Sequence, residues 1–208
     1  MNSFETDCVR AFGSLNFWIG LLLECLILRK AGLQSELFAI SVPIAVSLPY
    51  STAWIADMES GYLKEYVIRC GKKAYIFGKM AACAFSGGVL LAAAGWVYGR
   101  TGGEEAGGLD LSLLFFSGML WALCAATLAA ASKSRYVAYG GSFVLFYLLV
   151  ILKERYFMEL YCMDPIEWIL PKHTWVFDHG GIWLLCGGLL IILAMIYYEI
   201  LWRCIERV

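Results

Sequence analysis

Few residues in this chain could do chemistry. The 208 residues hold 2 histidines and 8 cysteines. His173 and His179 have no carboxylate at a metal-ligand spacing and read as ordinary loop residues. Cys8, Cys25, Cys70, Cys83, Cys124, Cys162, Cys186 and Cys204 include no CxxC pair and fall in or beside apolar runs. They read as small hydrophobes, not as disulfides or zinc ligands. Neither HExxH nor GxSxG occurs, and Glu104-Glu105 runs into Ala106, Gly107 and Gly108 without the arginine of a membrane-protease pattern. Gly78-Lys79 closes no phosphate loop, because Lys73 stands where the motif needs glycine and Met80 where it needs Ser or Thr. The chain is expected to be no enzyme, and to hold no metal and no cofactor of its own. One acid stands out. Glu24 interrupts an apolar run, and an acid within a membrane span is a functional candidate by default. The simpler reading places it near the outer end of its span, reaching water beside Arg29 and Lys30.

The elements that would carry these residues are hydrophobic. Hydrophobic residues make up 61% and charged residues 16%, with net charge -1 and mean hydropathy +0.71. Soluble domains are nearer 45–50% apolar and about 25% charged. Lipid is the solvent in which such a composition is stable. A spanning helix needs about 20 apolar residues, and six runs come near that: Phe12–Leu28, Leu37–Ala56, Met80–Tyr98, Leu111–Ser132, Tyr136–Leu152 and Gly180–Tyr198. The expected fold is all-α, a single domain over 1–208 with six transmembrane helices in the cell membrane. No cleavable signal peptide is evident, since Glu5, Asp7 and Arg10 precede the first run. Pro43 and Pro49 kink the second run, either to shape a transport path or simply for packing. Small residues in the third, fourth and sixth runs allow close helix approach, within the chain by default and between two chains as the alternative.

Orientation follows from the cations. With both termini cytoplasmic, the inner side holds Arg10, Lys64, Arg69, Lys72, Lys73, Lys79, Lys133, Arg135, Arg203 and Arg207, which is 10 of the 16 Lys and Arg. Residues 1–11 read as a short interfacial helix with Phe4 facing lipid. Residues 57–79 form the longest and most basic inner connection, 99–110 a Gly-rich outer loop, and 153–179 an outer re-entrant or amphipathic segment broken at Pro165 and Pro171.

Residues 57–79 also carry a pattern. Asp57, Glu59, Gly61 and Tyr62 open it, Arg69 follows, and Tyr75 and Lys79 lead into the next span. Leu63, Val67, Cys70 and Ala74 recur at helical spacing on one face, while Glu65 and Arg69 are spaced as an i,i+4 pair. The residue reading is therefore a basic amphipathic helix on the inner surface, which could bind headgroups or a protein. The pattern resembles the first cytoplasmic loop of ABC-2 type permeases, the membrane subunits of ATP-driven exporters. Arg10-Ala11-Phe12 and the stretch Tyr161 to Pro165 are similar to other parts of that family. The resemblance implies a helix over 62–73 that docks on a separate ATPase subunit, which would bind ATP and Mg. It assigns the coupling to Asp57, Glu59, Gly61, Tyr62, Tyr66, Arg69 and Lys73, with Tyr62 and Tyr66 touching the ATPase and Arg69 ion-paired to Glu59 or to the partner. It further implies a second permease subunit, lipid around both, no nucleic acid, and export of an amphipathic cargo such as a peptide or bacteriocin. The alternative is a non-transporting scaffold or sensor whose basic loop binds a regulatory protein. An ion-coupled transporter would need several ionisable residues within the spans, and the sequence offers Glu24 alone.

Overall fold

A computed structural model describes residues 3–101, 110–171, 175 and 180–206. His173, His179 and most of the 99–110 loop lie outside the described residues. The described residues are all-α, helices joined by turns, with no strand among them. Its helices are α1 (Ser3–Phe12), α2 (Leu15–Ala31), α3 (Glu36–Ala45), α4 (Ala53–Glu59), α5 (Tyr62–Cys70), α6 (Lys72–Arg100), α7 (Leu111–Ser132), α8 (Arg135–Tyr156) and α9 (Gly180–Glu206).

Four helices, α6 to α9, are long and apolar enough to cross a membrane, and α1 with α2 makes a fifth if that bent pair is counted as one span. The pair bends by 55° at Gly13-Ser14. Ser14 caps the second half by accepting from the Phe17 amide. The run 37–56 is not one helix. α3 stops at Ala45, turns follow, and α4 starts at Ala53. Pro43 and Pro49 lack the N–H groups that a continuous ladder would need, so the expected second span is a broken one.

α7 is the central helix, with most of its length buried, whereas α8 and α9 turn most of their surface outward. α6 and α7 cross where neither has a side chain. A Cβ on Gly87 would stand 2.4 Å from the Ala122 Cβ, and one on Gly118 would stand 2.6 Å from the Gly87 carbonyl oxygen. The small residues of these two spans thus serve packing within the chain. Gly187 and Gly188 of α9 instead face open space.

The bend lets α1 and α2 follow α6 in sequence. Asp7 reaches Lys79, Phe12 meets Phe85, and Gly20 touches Leu90. α1 lies along the first turns of α6, with Asp7 and Ala11 buried and Phe4 exposed.

One end of the bundle gathers the cations. Arg135 at the start of α8 pairs with Glu59, and Tyr139 meets Thr52. Tyr198 and Trp202 of α9 pack on Phe77 and Lys72. This basic end therefore carries α5, the start of α6, the α7–α8 connection and the last turns of α9. From the opposite end, residues 157–171 fold back into the bundle. Trp168 stacks on Trp121 of α7 and donates to the Cys162 carbonyl, and Asp164 pairs with Lys153 at 2.9 Å.

Candidate functional site

The basic end holds a cluster of buried charges. Lys79 lies seven residues into α6 and is 1% exposed, as are Asp7 and Asp57. Its Nζ is 2.7 Å from Asp57 Oδ2 and 3.1 Å from Asp7 Oδ1, and it donates to the Tyr50 hydroxyl at 2.8 Å. Tyr50 donates to Asp7 at 2.6 Å, Tyr75 donates to Asp57 at 3.1 Å, and Arg10 donates to the other Asp57 oxygen at 3.2 Å. Two carboxylates and two cations balance, so the cluster is neutral overall. Buried charge is stable only when paired and hydrogen-bonded in this way.

Four segments supply the cluster. α1 gives Asp7 and Arg10 from successive turns of one face, and the turns after α3 give Tyr50. α4 gives Asp57, and α6 gives Tyr75 and Lys79 one turn apart. The cluster pins these segments together directly beside α5.

α5 is set off by two glycines in the left-handed region, Gly61 at φ +73° and Gly71 at φ +80°. Neither would meet anything within 4 Å if given a Cβ, so backbone conformation alone calls for glycine there. The helix is shorter than the expected 62–73, because Gly71 ends it and Lys72 opens α6. Leu63 and Tyr66 face the bundle, with Tyr66 between Tyr62 and Tyr75. Lys64, Glu65, Ile68 and Arg69 face outward, Ile68 at 84% exposure. An open groove of about 600 Å³ runs between α1 and the start of α5, lined by Thr6, Arg10, Ser60, Gly61, Tyr62 and Glu65. Arg10 sits over the Tyr62 ring within it, 5.9 Å from the centroid.

The residues singled out from the sequence divide in two. Tyr62, Arg69 and Lys73 are exposed, and Gly61 shapes the start of α5. Asp57 and Tyr66 are buried, so they position the helix and offer no outer surface. Of the two partners expected for Arg69, Glu59 is taken by Arg135, which leaves the partner subunit as the other expectation. Lys79 and Asp7 were missed as partners. Lys79 was counted as a loop cation and Asp7 as an interfacial acid. Their spacing in sequence carries no sign that they meet.

Glu24 also departs from expectation. It is 0% exposed and does not reach water; its Oε2 lies 3.2 Å from Ser41 Oγ of α3. Arg29 lies further along α2, lining a separate small cavity with Cys25 and Tyr98.

Comparison of the chain with protein-family models, with curated proteins and with solved structures gives no match.

Proposed function

We propose that this chain is the membrane subunit of an ATP-driven exporter of the ABC-2 type, a multi-pass protein of the cell membrane with its basic end in the cytoplasm. The observation that carries the reading is α5. It is a short helix with one face on the bundle, set off by Gly61 and Gly71, exposing Tyr62, Lys64, Ile68 and Arg69. A helix that passes movement from a soluble partner into the membrane must protrude, stay stiff, and connect without slack to the spans. α5 has these features: Gly71 is the one residue between it and the 29-residue α6, and Asp57 ties its approach to Lys79.

In this reading the partner ATPase binds and hydrolyses ATP with Mg, and α5 docks against it. Closure of the ATPase pushes α5, the push enters α6 at Lys72, and the Lys79 cluster spreads it to α1 and α4. The exposed Tyr62, Arg69 and Lys73 make the contact, Gly61 sets the angle, and Asp57, Glu59 and Tyr66 hold the helix in place. The outward faces of α8 and α9 meet lipid or a second permease subunit. Cargo is an amphipathic molecule such as a peptide, passing between the two subunits.

The test is purification in mild detergent from cells that express the neighbouring genes, with mass spectrometry of what co-purifies. A stoichiometric soluble protein with a P-loop, lost in the Gly61→Leu/Arg69→Ala double variant, is the expected result. A chain that purifies alone would favour the scaffold or sensor reading instead.

A further inference from the structure

We propose that Glu24 is a proton-binding site within the membrane span, its side chain a neutral carboxylic acid that donates to Ser41. Ser41 has one hydroxyl hydrogen, and its oxygen lies 2.8 Å from the Phe38 carbonyl oxygen, which can only accept. A serine within a helix commonly gives that hydrogen to a carbonyl one turn back, and this contact is the shorter of the two. The contact between Ser41 Oγ and Glu24 Oε2 at 3.2 Å then has no hydrogen unless the carboxyl brings one. The other carboxyl oxygen, Oε1, is buried and has no partner. An ionised carboxylate here would have no donor of its own.

Nothing nearby offsets a charge either. Among the described residues no cation lies within ion-pair distance of Glu24. On α2, Cys25 and Arg29 face the separate cavity of about 170 Å³ that they share with Tyr98 of α6. On α3 the titratable residue is Glu36, exposed at the helix start. From α1, Asp7 and Arg10 are held in the Lys79 cluster. An isolated buried carboxylate costs far more than a protonated one. The proton therefore belongs to the closed α2–α3 contact, and ionisation requires the two helices to part. This inference uses the placement of α2 in a membrane but not the identity of any partner or cargo.

Infrared difference spectroscopy on the full chain in lipid, at neutral pH, tests it. The wild type should show a protonated-carboxyl C=O band that moves in D2O and is lost in Glu24→Gln. In Ser41→Ala the same band should persist and rise in frequency, since its acceptor is gone. Loss of ionised-carboxylate bands in Glu24→Gln, with the C=O region unchanged, would overturn the assignment. Should Glu24→Gln fail to fold, Ser41→Ala decides alone: a C=O band identical to that of the wild type, or no such band in either protein, refutes the proposal.

Discussion

At the scale of single residues, Lys79 is the centre of the molecule's polar interior. It pairs with both Asp7 and Asp57, each fully buried, while Arg10 supplies the second positive charge. Removing one partner of a buried ion cluster leaves charge without compensation and typically costs about 3–5 kcal/mol. Lys79→Met should lower the thermal unfolding midpoint in detergent strongly. Adding Asp7→Asn and Asp57→Asn to that variant should recover part of the loss, because the stranded charges go with the lysine. A triple variant no better than Lys79→Met would show that the lysine acts through packing instead. None of this arrangement was legible in the sequence. The pattern that drew attention to Asp57 and Lys79 was read as a loop motif. The helix that carries Lys79 begins at Lys72, so a residue taken for the edge of the membrane lies inside the bundle. Glu24 was misread for a related reason. A carboxylate was assumed to seek water, whereas the side chain turns to a serine on the neighbouring helix.

At the scale of elements, glycine has different work in different places, and substitution separates them. Gly87 and Gly118 let α6 and α7 touch, and a methyl group on either overlaps its neighbour. Gly87→Ala and Gly118→Ala should each destabilise, by about 1–3 kcal/mol for overpacking, seen as a lower unfolding midpoint. Gly188→Ala in α9 meets nothing among the described residues and should be neutral or slightly stabilising through helix propensity. A marked loss there would instead reveal a neighbouring helix from another chain. Gly61→Ala has space but the wrong backbone, and about 1–2 kcal/mol of left-handed strain should act on α5. Faster hydrogen exchange over 59–70 in Gly61→Ala than in the wild type is the expected readout. Hydrophobic runs predicted the long helices well. The run 111–132 coincides with α7, and 136–152 and 180–198 lie within α8 and α9. They misjudged 37–56, where hydropathy is continuous but two prolines break the ladder. They also could not say that α1 packs on α6, since an amphipathic helix has the same pattern on a lipid surface as on another helix.

At the scale of the whole molecule, the two ends differ in construction. The basic end is joined by ion pairs among α1, α4, α6 and α8. At the other end, residues 157–171 return into the bundle through Trp168, which stacks on Trp121, itself against Phe146. Trp168→Ala should cost about 3–5 kcal/mol, as is usual for truncating a buried large aromatic, and should make Trp121 accessible to an aqueous fluorescence quencher. Unchanged quenching would place the stacked pair away from any path to solvent. The broad apolar surfaces of α8 and α9 carry no such anchors.

The position of Lys79 also bears on how the chain is made. Asp7 and Asp57 both leave the ribosome before the lysine with which they pair. Until residue 79 has been synthesised, neither acid has the lysine beside which it is buried, so the cluster cannot close before α6 has begun. The contact between α1 and α6 thus spans a stretch of chain from residue 7 to residue 79 that must exist before it can close.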